Sequence, residues 1–235
     1  MLADVTQLSE PRSRRDRPAK PPLSRAAIVE TALELVQQDG LDAVTLRNVA
    51  QRLDTGPASL YVYVANRDDL LERLLDRALS EVPLVAVDFE RWQEQLAGLF
   101  TATLDALCRY PGLAQVALGS IPTWPSALAI TENALALMRA GGIPDQAAAW
   151  ATDALYLLTV ATAVEHGIER RRAPTAPHHK SVGADYIGTV RELYAALPAD
   201  RYPAITSMAA TLTQGDDAQR FAFAVGAIIS GARTG

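Results

Sequence analysis

The sequence predicts an all-α protein built as a small three-helix head followed by a larger helical bundle. Three observations predict this. Apolar residues make up 49% of the 235 positions but aromatics only 6%, and an alanine- and leucine-rich mix of that kind favours helices over strands. Long stretches repeat apolar residues three and four positions apart and stop at proline or glycine, with no strand-like alternation. Near the front, two short segments of the same period flank Asp54-Thr55-Gly56, a helix, a tight turn and a second helix. The length allows one or two domains with a sizeable core.

Residues 1–22 show no helical period and include Pro11, Pro18, Pro21 and Pro22, so they are expected to be disordered in isolation. Residues 24–38 form an amphipathic helix with Ala27, Ile28, Thr31, Ala32, Leu35 and Val36 inward, Ser24 as its cap and Gly40 at its end. Leu46, Val49, Ala50 and Leu53 give the next helix one apolar face, and Thr45 is placed to cap it. In the turn, Asp54 tolerates left-handed backbone and Gly56 adopts it without steric cost. Pro57 suits the first turn of the second short helix, expected over residues 57–64. That helix buries Leu60 and Val64 and leaves Ala58, Ser59, Tyr61, Val62 and Tyr63 outward. Asn66 or Arg67 starts a connecting helix (67–80) with Asp68 and Asp69 in its first turn, where the dipole favours acid. Head and body thus divide into 23–66 and 67–235.

The body reads as helices over 88–110, 113–119, 125–140, 144–170, 184–197, 202–213 and 216–231, separated by Pro- and Gly-containing breaks. The fifth stretch after the head, 144–170, is apolar nearly all round in its middle, as is the last. Helices of that kind are buried on more than one side, here against their own core and a second subunit. Their pairing across a twofold axis gives a four-helix dimer interface. Residues 173–183 read as a proline-rich loop. No run approaches the about 20 apolar residues needed to span a membrane, and the charged N-terminus lacks an apolar leader core. With one cysteine, Cys108, no intramolecular disulfide forms. A reducing cytoplasm is the expected location.

Net charge is −5, but the distribution is uneven. From Arg12 to Arg67 nine basic residues face six acidic ones, leaving a basic head on an acidic body. A short helix with small residues in front and tyrosines behind suits a major groove. Its backbone approaches base edges while hydroxyls reach phosphates or bases. The cluster Arg12-Ser13-Arg14-Arg15-Asp16-Arg17 would then lie in a minor groove or along phosphates, or else serve as a solvated tail.

Taken together, Gly40-Leu41, Thr45-Leu46-Arg47, Val49-Ala50, Leu53, Pro57, Leu60-Tyr61, Asn66-Arg67 and Leu70-Leu71 resemble the DNA-binding head of the TetR family of one-component transcriptional regulators. The resemblance spans residues 23–79. Gly56 stands where that family commonly has a capping serine, Asp54-Thr55 replaces a Gly-Val pair, and Tyr63-Val64 stands where His-Phe is frequent. These departures read as altered capping and contact detail. The resemblance implies an N-terminal three-helix helix-turn-helix DNA-binding domain plus a C-terminal helical ligand-binding and dimerisation bundle. It further implies a homodimeric regulator on a double-stranded DNA operator, a repressor released by a small-molecule effector. Carried onto this chain, it makes Arg47 a contact to a guanine edge or phosphate. Pro57, Ala58, Ser59 and Tyr61 become base-facing residues, and Thr45, Tyr63 and Arg67 phosphate contacts. For Tyr61 the alternative is a core aromatic between helices, and Arg52 reads as solvated surface.

An effector would occupy the interior of the body. Candidate lining residues are Trp92, Phe100, Leu104, Trp124, Met138, Trp150, Tyr156 and His166, with Thr159 and Thr162 as polar companions. Asp153 and Glu165 would favour a cation. Each of these residues reads equally as ordinary core. His178-His179 and His166 lack metal-ligand spacing, so no metal or other cofactor is expected. No phosphate loop or nucleophile elbow appears, so no enzyme is expected either. A helical small-molecule binder or interaction module without specific DNA reading is the rival class, kept open by the altered turn.

Overall fold

The computed structural model describes residues 22–172 and 183–233, and every regular element among them is helical. Ser24 accepts the Ala27 N–H and opens α1 (Arg25–Asp39), which ends at Gly40 with its N–H on the Val36 carbonyl and φ +81°. A 3₁₀ turn, Leu41–Ala43, leads to Thr45, whose hydroxyl oxygen accepts from Asn48 N–H and caps α2 (Leu46–Arg52). Next come α3 (Pro57–Leu60) and α4 (Arg67–Leu79), the latter capped by Asn66. Ile28, Ala32, Val49, Ala50, Leu60, Val64, Leu70 and Leu74 close the head around one apolar centre.

The connecting helix α4 packs on α1 in the head and on three body helices: α5 (Trp92–Arg109), α6 (Leu113–Leu118) and α7 (Pro125–Ala140). The first of these starts four residues later than the periodicity indicates. Asp88 accepts the Glu90 N–H and donates its own N–H to Gln95, a local turn that competes with helix. The centre of the body is α8 (Asp145–Arg172), which packs against α5, α6, α7 and the last helix, α12 (Asp217–Ala232). Between them lie α9 (Gly183–Ala195), α10 (Pro203–Ser207) and α11 (Ala209–Leu212). The single helix expected over 202–213 is thus two, broken at Met208 with φ −105° and ψ 9°.

One expectation needs correcting. Asp145–Ile168 is long and apolar enough by composition to cross a membrane. The isolated acids Asp145, Asp153 and Glu165 hide this from a count of unbroken apolar runs. In the fold one side of that helix packs on four neighbouring helices, with Leu155, Thr159 and Val160 fully buried, while part of its apolar surface stays outward. The arm, the loop at 173–182 and His178-His179 lie outside the described residues.

Candidate nucleic-acid interface and effector region

The turn between α2 and α3 is made by Asp54, not Gly56. Asp54 takes the left-handed conformation at φ +50°, and Gly56 sits in ordinary extended backbone at φ −81°. The chain is drawn back by Asp54 N–H to Gln51 O (3.0 Å) and Thr55 N–H to Ala50 O (2.9 Å). The second helix is shorter than expected, ending at Leu60 and continuing as a turn to Val64. Both of these residues are buried and anchor it. Pro57, Ala58 and Ser59 are exposed, Tyr61 is 58% exposed and Val62 79%. Tyr61 is therefore not a core aromatic.

The cations and hydroxyls of the head fall into two groups. Arg47 projects from α2 beside an open depression that it lines with Gln51, Asp54, Thr55, Gly56 and Pro57. It is exposed and makes no hydrogen bond or ion pair with the described residues. Arg67 is turned inward instead. Its Nε donates to Val44 O at 2.8 Å and its Nη2 to Leu41 O at 3.1 Å. Tyr63 likewise donates its hydroxyl to Leu23 O at 2.7 Å, and its own carbonyl accepts from Arg25 Nε. Arg52 is held by Gln38 and Asp39. The two tyrosines, two positions apart, thus face opposite ways. Sequence spacing could not show this, because the partners of Tyr63 and Arg67 are backbone carbonyls 23 to 40 positions away. Gln51 and Val62 are further exposed residues on this surface, signalled only by their outward register. An apolar side chain like Val62 suits a thymine methyl.

The joint between head and body is ionic. Arg77 on α4 donates Nε to Glu30 on α1 at 2.6 Å and Nη1 to Glu81 at 3.1 Å. Glu81 also accepts from Arg109 and, at 2.8 Å, from the Tyr110 hydroxyl at the end of α5. Burial pushes the Glu81 carboxyl up, but the Tyr110 hydroxyl, Arg109 and Arg77 outweigh it and hold it below the usual carboxylate range. Glu30 holds the Arg77 proton more firmly than usual.

In the body, Phe100, Met138, Trp92 and Leu104 are buried and Trp124, Tyr156 and His166 half-buried. The Trp92 ring lies so close on Gly141 that a Cβ there would sit 2.2 Å from it, which ties the start of α5 to the end of α7. Tyr156 donates to Ala117 O at 3.4 Å, and burial raises its phenol, keeping it a neutral donor. Trp150 departs from expectation. It is 70% exposed and shares an outer stripe of α8 with Leu157 and Ile168, at helical spacing of 7 and 11 residues. Asp153 and Glu165 are exposed too, so neither places charge inside. The buried polar residues described are threonines, and in the body Thr103, Thr152 and Thr159 each donate to the carbonyl four residues back.

With this geometry in place, the similarities are specific. The family profile described as "Bacterial regulatory proteins, tetR family" matches residues 28–74, and "Tetracyclin repressor-like, C-terminal domain" matches residues 87–235. The HTH-type transcriptional repressor DrrR1 of Streptomyces coeruleorubidus is 31% identical over 224 residues, covering 93% of this chain and 80% of its own. The class D tetracycline repressor of Escherichia coli is 35% identical over 103 residues, covering 43% of this chain and 47% of its own. Among solved structures, ActR of Streptomyces coelicolor in complex with actinorhodin superposes with a TM-score of 0.80 at 31% identity, over 90% of this chain and 96% of that one. The chain belongs to the TetR family of bacterial transcriptional regulators, as a DNA-binding repressor with a ligand-responsive helical body.

Proposed function

We propose that two heads of a homodimer read successive major grooves of a near-palindromic operator, with Arg47, Pro57, Ala58, Ser59 and Tyr61 at the base edges. The observation that carries this is the outward Arg47, unpartnered among the described residues, beside a short helix of exposed small residues followed by Tyr61. Thr45 meets a phosphate while capping α2, and Tyr63 and Arg67 hold the reading helix at its angle. The dimer forms through the α8 stripe of Trp150, Leu157 and Ile168 and the face of α12 that bears Phe223, 78% exposed beside Gly226 and Ala227. Exposed apolar side chains in such a row are covered in a stable protein.

The effector enters the body between α5, α7 and α8, against Phe100, Leu104, Met138 and Tyr156. A lining of apolar walls, threonine hydroxyls and one neutral phenol suits an uncharged, largely apolar molecule with a few hydrogen-bonding groups. ActR of Streptomyces coelicolor, similar over 90% of this chain, is known in complex with actinorhodin, which supports a small-molecule effector. Binding shifts the body toward the state in which the heads no longer match the operator, and the effector's preference for that state sets the loss of DNA affinity. The regulator works in the cytoplasm and performs no catalysis.

Selection of genomic fragments on the immobilised protein tests this reading. A palindromic site is expected to be enriched, lost with Tyr61→Ala, and released by active small-molecule extracts. Failure of any sequence to be enriched would favour a helical binder that does not read DNA.

A further inference from the structure

Three body helices converge on one polar row that neither DNA reading nor effector binding uses. Cys108 on α5 places Sγ 3.4 Å from Nδ1 of His166 on α8. The opposite ring nitrogen, Nε2, lies 3.5 Å from Oδ2 of Asp217 on α12. We propose that Cys108 is a nucleophilic thiol served by this imidazole–carboxylate pair, a modification site for soft electrophiles of the α,β-unsaturated carbonyl class.

The order of the groups carries the argument. The Asp217 carboxylate, 3.5 Å from Nε2 as a charge contact, favours the tautomer with the proton there, which leaves the Nδ1 lone pair toward the thiol. A base next to a thiol, itself oriented by a third group, is the arrangement that activates a nucleophile. Because thiol and carboxylate sit on opposite ring nitrogens, the three cannot converge on one metal ion, and no metal-holding group of His, Cys, Asp or Glu occurs among the described residues. Asp217 is held in place in the first turn of α12, behind a reciprocal cap between Asp216 and Gln219. Access is graded along the row. The His166 side chain is 26% exposed and that of Asp217 54%, with Cys108 half-buried at the inner end. Of the ionisable groups flanking the row, four described side chains are directed to solvent or to other partners. Asp105 and Glu165 are exposed, Arg109 pairs with Glu81, and Arg220 donates to the Leu212 and Gln214 carbonyls.

In the reaction the thiol proton passes to Nδ1 as sulfur bonds the β-carbon. The alkene electron pair moves to form the enolate, and the imidazolium proton is returned to the α-carbon. The net change is addition of S–H across C=C, with no oxidant required.

Iodoacetamide serves as the probe, with the full chain and intact-mass detection. Sulfur displaces iodide, and the chain's single cysteine makes each adduct unambiguous. At pH 6 the folded wild type is expected to alkylate about fivefold or more faster than folded His166→Asn, because pairing raises the thiolate fraction more than it lowers nucleophilicity. The advantage should shrink toward pH 9, where any thiol ionises, and Asp217→Asn should fall between the two. A merely structural contact would not produce that pH-dependent ratio. Equal rates at pH 6 would overturn the proposal. So would a folded wild type slower at pH 6 than the same chain unfolded in urea, a comparison that needs no variant.

Discussion

The head and the body are held together by different kinds of bond. In the head, side chains cross between elements to backbone carbonyls: Arg67 to Leu41 and Val44, Tyr63 to Leu23, Arg25 to Tyr63. Such bonds have direction and fix angles as well as distances. In the body core, the threonine hydroxyls bond to carbonyls of their own helices. The Thr152–Met138 sulfur contact and the Cys108–His166 contact cross between α5, α7 and α8, which otherwise meet there through apolar surfaces that carry little directional constraint. The difference suits the two roles. A head that reads a groove needs one geometry, whereas a body that takes a guest needs room to repack, and the ionic joint at Arg77 and Glu81 links the body to α1 and α4.

Phe100→Ala should have the largest effect on stability. The fully buried ring lies in the apolar part of the body, and its removal should cost about 3–5 kcal/mol in urea unfolding. Operator affinity well below the melting temperature should change less than about twofold if the head is angularly fixed by its own bonds. An equal collapse of DNA binding would break the contrast. Arg67→Ala sharpens it from the other side. Loss of two charge-assisted bonds should cost about 2–3 kcal/mol of stability and weaken operator binding at the same time. Arg47→Ala, at a neighbouring and equally charged position, should leave thermal unfolding within about 0.5 kcal/mol. It should cost the operator complex about 1–3 kcal/mol in a gel-shift titration.

The joint gives an intermediate effect. Glu81 has a folded-state pKa below its unfolded value, so its contribution is present above the unfolded value and is lost as pH falls through the folded one. Glu81→Gln should cost about 1 kcal/mol at neutral pH, a low figure because Arg77 and Arg109 are partly screened by solvent. It should also flatten the acid limb of the stability curve measured by chemical denaturation. A mutant curve parallel to the wild type across that limb would count against the joint. The smallest effect is expected from Asp54→Asn, which keeps a residue tolerant of the left-handed turn and removes an acid from the Arg47 depression. Operator affinity should rise about two- to fivefold, most visibly at low salt.

Local signals made the head legible. Ser24, Thr45 and Asn66 cap the helices they precede, and Leu60 and Val64 bury as their register requires. What escaped was long-range. Nothing in the spacing of Tyr63 or Arg67 reveals a carbonyl far away in the chain, so both read as outward contacts. Either Asp54 or Gly56 tolerates the left-handed region and composition does not choose between them; the backbone uses Asp54. In the body, periodicity located the helices, but an all-round apolar helix does not say which stripe faces inward. Trp150 accordingly reads as an interior residue, whereas it lies on the outer stripe of α8. The Cys108–His166–Asp217 row, gathered from three helices, had no linear signature at all.

The most direct test of the account is a fluorescence-anisotropy titration of the protein into DNA from its own upstream region, beside random duplex, at two salt concentrations. Tight binding to one duplex is expected, falling steeply with salt by a slope of about −0.9 per phosphate contact, with a marked loss in Arg47→Ala. Equal, weak binding to both duplexes, unchanged by Arg47→Ala, would contradict the assignment of this surface as the reader of an operator there.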